Sequence, residues 1–193
     1  MLKLNFVAAR SIALILATSL LTSCFAIVVA GAAAGLIVYD RRSAFTMESD
    51  ARIFHVIQKA IIPSPEFHDS RIVIVSFNQV VLLAGQTPIA SLRVVAERIA
   101  QQTPNVRHVY DEISVGSPIS LRQQSKDTLI TGEVRSLILT KKGLESGSIR
   151  IVTENGVVYL MGIVTATQAN LAVDVARQVN GVQKVVKVFQ YIT

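Results

Sequence analysis

The stretch Ile149–Gly162, IRIVTENGVVYLMG, decides the fold because it is a β-hairpin pattern that the chain contains twice. Two apolar runs flank Asn155-Gly156, a dipeptide favoured by two-residue hairpin turns. The stretch Ile72–Gly85, IVIVSFNQVVLLAG, has the same pattern 77 residues earlier, with Asn78-Gln79 at the turn. The sequence therefore predicts two copies of one module rather than a single large domain.

The repeat extends beyond the hairpins and begins near Asp50 in copy one and Asp127 in copy two. Each copy spans about seventy residues and follows the order helix, strand, turn, strand, helix, strand. The recurring residues supply an apolar pattern and turn chemistry, without a reactive side chain among them. This is typical of a binding module, and the two copies are small enough to need mutual support.

A helical pattern precedes the hairpin in each copy. In copy two we expect it to span about Lys126 to Lys142. The residues expected to face the core are Ile53, Phe54, Ile57 and Ile61 in copy one and Ile130, Val134, Leu137 and Ile138 in copy two. Asp50 and Asp127 stand at the head of these patterns. We predict that they are helix caps or first-turn carboxylates rather than catalytic acids.

The two-residue turn fixes the strand register, so the faces of each hairpin can be assigned. The shared face, with Ile72, Ile74, Val81 and Leu83 in copy one, should hold the helices. The opposite face of copy one is apolar throughout and includes Val73, Val75, Phe77 and Leu82. An exposed face of this kind is unfavourable in water, so we predict that it packs against copy two or, alternatively, against a partner protein.

The N-terminus has the layout of a secretion signal, with Lys3 and Arg10 before an apolar run. Leu21-Thr22-Ser23-Cys24 resembles the bacterial lipobox at every position of the motif. We therefore expect residues 1–23 to be a signal peptide and Cys24 to carry a diacylglycerol and an N-acyl chain. Cys24 is the only cysteine, which excludes an intramolecular disulfide.

An uncleaved membrane helix is the alternative interpretation of this segment. The 29 residues from Ser11 to Tyr39 carry no charge, and that length exceeds the roughly 20 needed to span a bilayer. The small-residue run Ala30–Gly35 favours a flexible tether instead. We expect residues 24–47 to contain the lipidated cysteine and this tether.

The charge balance suits a protein that works against anionic lipid headgroups. Removal of residues 1–23 takes away two of the 19 basic side chains and none of the 13 acidic ones, leaving a net charge of +4. This charge is too small and too poorly clustered to indicate nucleic-acid binding. Phe25 stands where an aspartate would resemble an inner-membrane retention signal, so the outer membrane of a Gram-negative bacterium is expected.

The αββαβ order and the Val-x-Leu-x-Gly motif at Val81–Gly85 and Val158–Gly162 resemble the BON domain. Two such copies behind a lipobox and an Ala/Gly tether resemble the family of division- and outer-membrane-stress-associated lipid-binding proteins. The resemblance implies an α+β fold, in which two tandem BON domains each pack two helices on one face of a three-stranded mixed sheet. The expected domain bounds are 48–116 and 125–193, with a linker at 117–124.

The same resemblance implies an outer-membrane lipoprotein facing the periplasm that binds anionic phospholipid through the first helix of BON domain 2. It also implies a role in outer-membrane integrity at the division site. In this family an aromatic residue stands near the start of that helix, whereas this chain has Leu129. Weaker lipid contact is therefore expected, because leucine lacks an indole suited to the headgroup layer.

The helical geometry supports lipid contact independently of the family. At 100° per residue, the side away from the predicted core carries Leu129, Gly132, Arg135, Leu139 and Lys142. Exposed leucines flanked by cations are what an interfacial helix offers to an anionic bilayer, so we predict these five as lipid-binding residues. An ordinary solvated face with two stray leucines is the alternative.

No motif for catalysis or metal binding is evident. His55, His68 and His108 match no metal-ligand spacing, and the adjacent Asp111 and Glu112 point to opposite faces of a predicted strand. We therefore expect a protein that is not an enzyme and has no cofactor. A protein-interaction adaptor remains the other class of function, with the apolar sheet face of copy one docking an outer-membrane assembly or division protein.

Overall fold

The computed structural model describes residues 40–193, and the predicted αββαβ order occurs in it twice. Domain 1 consists of α1 (Ala44–Ile61), β1 (Arg71–Phe77), β2 (Val80–Thr87), α2 (Ala90–Gln101) and β3 (His108–Val115). Domain 2 consists of α3 (Leu121–Thr140), β4 (Ile149–Glu154), β5 (Val157–Val164), α4 (Ala166–Arg177) and β6 (Lys184–Tyr191). Short 3₁₀ helices at Pro65–Phe67 and Ser146–Ser148 lead into β1 and β4.

Each domain contains the three-stranded mixed sheet that the resemblance implies. In domain 1, β2 is central and pairs antiparallel with β1 and parallel with β3; in domain 2, β5 pairs in the same way with β4 and β6. The predicted inner faces are confirmed, because Ile72, Ile74, Val81 and Leu83 pack with the helices of domain 1. The equivalent face of domain 2 forms a second helix-covered core.

The hairpin turns have the geometry that their residues predict. Both central residues of each turn have positive φ, at 51° and 64° for Asn78 and Gln79 and at 50° and 74° for Asn155 and Gly156. This combination is the type I′ turn, whose twist matches that of the flanking strands. Gln79 adopts the left-handed conformation without being glycine or asparagine, which is unfavourable unless other contacts hold the turn.

Asp50 and Asp127 supply those contacts, and their predicted capping role is wrong. The carboxylate of Asp127 accepts hydrogen bonds from the backbone N–H groups of Asn155 (2.7 Å) and Gly156 (2.9 Å). Asp50 accepts from those of Asn78 (2.7 Å) and Gln79 (2.7 Å) in the same way. Both carboxylates are buried. Each therefore joins the middle of a helix to the tip of the hairpin.

The helices begin earlier than the apolar pattern indicated. The caps are Ser43, whose hydroxyl accepts from Thr46 N–H (3.1 Å), and Ser120, whose hydroxyl accepts from Gln123 N–H (3.2 Å). The first turns of α1 and α3 are polar or exposed, so they carry no periodic apolar signal. As a result, residues 121–124 of the predicted linker belong to α3.

The glycine of the Val-x-Leu-x-Gly motif is required by close backbone approach. A Cβ atom on Gly85 would lie 2.0 Å from the carbonyl oxygen of Arg71, and one on Gly162 would lie 2.5 Å from that of Ser148. Gly85 also has a φ of 126°, which side chains rarely adopt. The motif therefore marks the point where the central strand crosses close to the start of its neighbour.

The outer faces of the two sheets pack against each other. This third core contains Phe77, Val80, Leu82, Ala84, Tyr159, Met161 and Val188. Residues 40–193 thus form four layers, with a pair of helices outside each sheet. Burial, followed by the nearby carboxylates of Glu112 and Glu154, raises the pKa of Tyr159 to about 12. The apolar face of domain 1 is covered by domain 2 and is not available to a partner.

Polar contacts hold both ends of this interface. The buried carboxylate of Glu154 accepts from the guanidinium of Arg71 (3.1 and 3.2 Å) and from the side-chain amide of Gln86 (3.2 Å). At the other end, the amide of Asn78 donates to Gln190 (2.7 Å). The hairpin tip of each domain therefore contacts the open end of the other sheet.

Residues Tyr39–Thr193 form one compact unit, so a fragment with these bounds retains the three cores and the polar contacts between the domains.

Replacement of Asp127 by Asn should destabilise the fold. The amide retains the shape but loses the charge that strengthens two hydrogen bonds to turn N–H groups, at a cost of about 1.5–3 kcal/mol. Urea unfolding of Asp127→Asn measures the loss. Asp174→Asn is the matched control, because Asp174 is exposed on α4. Equal stability of the two variants would show that the carboxylate does not hold the turn.

Replacement of Leu82 by Asp should unfold the protein or lower its stability by more than about 3 kcal/mol, because it buries a charge without a partner. Thermal unfolding followed by circular dichroism is the measurement. Val94→Asp is the control, since Val94 is exposed on α2. A Leu82→Asp variant as stable as the control would show that the sheets do not pack together.

Candidate functional site: the outward face of α3

Helix α3 directs one narrow stripe of residues into the core of domain 2. Asp127, Ile130, Val134 and Ile138 are its buried positions. Leu137, which the pattern assigned to this stripe, is 38% exposed, and that assignment is wrong. At 100° per residue Leu137 lies at the edge of the buried stripe, about 20° beyond Ile130 and about 100° from Ile138.

The opposite side of α3 is unusually apolar for a solvated helix. Leu129 is 74% exposed, Leu139 is 43% exposed and Leu121 is 79% exposed. Leu121 and Leu139 are separated by five complete turns and lie on one line along the helix. Around the helix axis, Gly132 lies between this line and Leu129. A Cβ atom placed on Gly132 would meet nothing within 4 Å. The outward stripe therefore runs along almost the whole helix.

Leu121 is a candidate residue that the sequence interpretation missed. Its helix was expected to begin at about Lys126, whereas α3 begins at Leu121. The available signal was Ser120, a favourable N-cap residue directly before a leucine. The longer helix extends the apolar stripe by more than one turn.

Cations surround this stripe. Arg122, Lys126, Arg135, Lys141 and Lys142 are exposed on α3 or just after it, and Glu133 is the exposed acid among them. Within residues 40–193, none of the five cations forms an ion pair with a carboxylate. Their charges are therefore available to an anionic surface. The predicted residues Leu129, Gly132, Arg135, Leu139 and Lys142 are all exposed in this region.

Three hydroxyl groups of α3 donate to carbonyl groups of the same helix. Ser125 donates to the carbonyl of Leu121 (3.0 Å) and Thr128 to that of Gln124 (2.9 Å). Thr140 likewise donates to the carbonyl of Ser136 (3.1 Å). Hydroxyl groups with internal partners lose less when they leave water. This lowers the cost of placing the outward face in the headgroup layer.

A groove of about 450 Å³ lies beside Leu129. Lys126, Leu129 and Glu133 of α3 line one side, and the segment Asn180–Gln183 lines the other. Gly181 allows this segment to approach α3, because its φ is 91° and a Cβ atom there would lie 3.1 Å from Ile130. The groove places an ammonium group and an apolar side chain together at the edge of the helix.

The first described residues, Asp40–Arg42, bridge the two domains, and we call them the entry strap. The guanidinium of Arg41 forms two hydrogen bonds with Glu145 of domain 2 (2.8 and 2.9 Å). Arg42 bonds Asp50 of domain 1 (3.0 Å) and stacks over the ring of Phe77 at 4.1 Å. Burial alone would raise the pKa of Asp40, but hydrogen bonds from Arg42 outweigh it and lower that pKa.

The remaining predicted residues fall in several places. Phe77 and Leu82 lie in the core between the sheets, Val75 packs against it, and Val73 is partly buried outside it. Cys24 and the rest of the predicted signal peptide lie outside the described residues. The segment proposed as an uncleaved membrane helix also lies outside the described residues. Within residues 40–193, no helix is long and apolar enough to cross a membrane.

The histidines of domain 1 are not brought together. His55 contacts the ring of Phe54, His108 contacts that of Tyr110, and His68 lies beside Asp69 at the surface. In the part of the chain that the structure describes, no group of three or more His, Cys, Asp or Glu side chains could share a metal ion.

Comparison with known proteins agrees with the fold. Residues 49–117 and 126–193 each match the family model of the BON domain. The outer membrane lipoprotein DolP of Haemophilus influenzae is 35% identical over 178 residues, which cover 91% of this chain and 92% of that protein. The 21 kDa hemolysin of Actinobacillus pleuropneumoniae is 34% identical over 155 residues, or 80% of this chain and 73% of that protein.

The family match therefore covers both domains, and the similarity to the lipoprotein extends over nearly the whole chain. The residues that match the family model include the two hairpins, their turns and the glycines that close approach requires. The chain belongs to the BON-domain family, as a dual-BON outer-membrane lipoprotein of the DolP family.

Proposed function

We propose that this lipoprotein faces the periplasm and binds anionic phospholipid through the outward face of α3, without catalysing a reaction. The observation that carries the proposal is the stripe of exposed leucines at Leu121, Leu129 and Leu139, which lies among five cations that have no ion pair within residues 40–193. Exposed apolar side chains flanked by unpaired cations suit a helix that lies in the plane of a membrane interface. Family resemblance supports a role in outer-membrane integrity at the division site.

The energetics favour a weak and selective contact. Full burial of a leucine side chain stabilises by about 1.5–3 kcal/mol, and each cation near an anionic surface adds about 1 kcal/mol. Shallow insertion gains only part of the free energy of leucine burial. The cations contribute only where the membrane surface is negatively charged. Leu129 at the family's aromatic position keeps the apolar contribution but lacks an indole that would sit among headgroups.

Two attachments act together in this proposal. Diacylglycerol and an N-acyl chain on Cys24 hold the protein at the membrane, and the length of the tether limits how far α3 can move from it. The second contact is then effectively intramolecular, so a weak affinity is sufficient for occupancy. Mass spectrometry of the native N-terminus tests the anchor, because an acylated Cys24 is expected there and an intact Met1 would exclude it.

We propose membrane binding rather than a protein adaptor because the surface on which the adaptor interpretation depends is occupied. Phe77 and Leu82 of the domain 1 sheet are buried beneath domain 2. The outward side of α1 also exposes apolar residues, Phe45, Met47 and Val56, but its cation Arg52 is already paired with Glu48, unlike the cations of α3. Domain 1 thus packs against domain 2 and supports it. The entry strap connects the tether to domain 1.

Vesicle binding by the fragment Tyr39–Thr193 tests the site. The fragment should bind vesicles of phosphatidylglycerol and phosphatidylcholine more tightly than vesicles of phosphatidylcholine alone. Replacement of Leu129 and Leu139 by Ser should weaken binding at least about tenfold, because apolar burial is lost. Val56→Ser with Val94→Ser is the matched control, since both valines are exposed on other helices. Unchanged binding by the leucine variant would remove the proposed site.

Salt should weaken the interaction of the same fragment with anionic vesicles. Raising the ionic strength from about 0.1 M to 1 M shortens the Debye length from about 10 Å to 3 Å, which screens exposed cations such as Arg135 and Lys142. Co-sedimentation across this range is the measurement. Binding that is equal in anionic and zwitterionic vesicles, or that does not respond to salt, would contradict the electrostatic part of the mechanism.

A further inference from the structure

A second groove, of about 400 Å³, lies away from the outward leucines of α3, between α1, β1 and β4. Met47, Phe54, Ile74 and Val75 supply apolar walls. The polar lining residues are Arg42, Asp50, His55, Ser76 and Arg150. Residues of both domains therefore form this groove, which joins an apolar surface to a cluster of charged groups.

Arg150 is the group in this groove that the fold does not use. It lies on β4, between the core residues Ile149 and Ile151, and its side chain points to the interdomain side. Within residues 40–193 it makes no hydrogen bond or ion pair. Partial burial, followed by the charges of Arg42 and Arg135, lowers the pKa of its guanidinium. The side chain of Arg150 remains exposed to solvent at the groove, so its N–H groups can bind an anion that enters there.

The nearest carboxylates are already engaged by other groups. Asp50 accepts from Ser76 (2.9 Å), from Arg42 and from two turn N–H groups. Asp40 accepts from the guanidinium of Arg42 (2.8 Å) and from its backbone N–H (2.9 Å). Three arginines, Arg42, Arg135 and Arg150, thus act on this region against two occupied carboxylates. The excess charge is positive and is centred on Arg150.

We propose that this groove is a binding site for the phosphate group of an anionic phospholipid, with Arg150 as the principal donor. A guanidinium presents paired N–H groups that match phosphate oxygens, and the apolar walls suit the glycerol and the first acyl carbons. Charge complementarity and the amphipathic lining both favour this ligand over a free phosphate ion. The site does not depend on insertion of α3, although Arg135 links the two surfaces electrostatically.

The test uses the fragment Tyr39–Thr193 and dihexanoyl phosphatidylglycerol below its critical micelle concentration. Titration followed by ¹H–¹⁵N NMR should show saturable shifts at residues lining the groove. Arg150→Gln should weaken this binding at least about tenfold, and Arg150→Lys should give an intermediate affinity because charge remains without the forked geometry. Arg177→Gln is the control, since it removes the same charge from an exposed position on α4.

Two further titrations distinguish the ligand and the site. Dihexanoyl phosphatidylcholine should bind more weakly, because its headgroup has no net charge. Inorganic phosphate that bound as tightly as phosphatidylglycerol would assign the groove to a free anion and overturn the lipid assignment. The variant with Leu129 and Leu139 replaced by Ser should keep the short-chain lipid affinity of the parent. Loss of affinity in that variant, or unchanged affinity in Arg150→Gln, would overturn the second site.

Discussion

The hydrogen bonds from each hairpin turn to a buried aspartate are the constraint on which the rest of the structure depends. Asp127 lies in the middle of α3, yet its carboxylate binds the backbone of Asn155 and Gly156 at the far end of a strand pair. One side chain therefore fixes both the rotation of the helix and the position of the hairpin. Because Asp127 must point inward, Leu129, two residues later, must point away from the core.

Both copies have this aspartate–turn interaction, but different neighbouring residues stabilise it. Asp50 binds a turn that contains Gln79 in the left-handed conformation, and it receives additional bonds from Ser76 and Arg42. Asp127 binds a turn with glycine at that place and receives one from Gln123 (2.9 Å). The less favourable turn is thus matched with the more extensive set of donors. Sequence divergence in the turn has been accompanied by divergence around the carboxylate.

Much of the fold could be predicted from the sequence because it depends on local periodicity. Alternation over Ile72–Gly85 and Ile149–Gly162 gives the strands, the turn dipeptides give the register, and the register gives the faces. Helix starts could not be predicted in this way, since no residue in the first turns of α1 and α3 is buried in the core. The role of Asp127 was hidden for a different reason: its partners are 28 and 29 residues away, and only the folded chain brings them together.

Some residues of the candidate site could likewise be predicted from local pattern, whereas others could not. Leu129 and Leu139 follow from helix geometry alone, whereas Leu121 requires the true helix start and Arg150 requires the arrangement of two domains. The apolar face of domain 1 was recognisable from Val75, Phe77 and Leu82, but the sequence left open what covers it. Tyr159 and Met161 show the answer in the structure, because they supply the facing surface. Complementary apolar patterns indicate burial without specifying a partner.

The entry strap has a mechanical consequence for a protein held by its N-terminus. Arg41 binds domain 2 through Glu145, and the adjacent Arg42 binds domain 1 through Asp50. A force directed along the chain from residue 40 is therefore divided between the domains within two residues, instead of being concentrated on one of them.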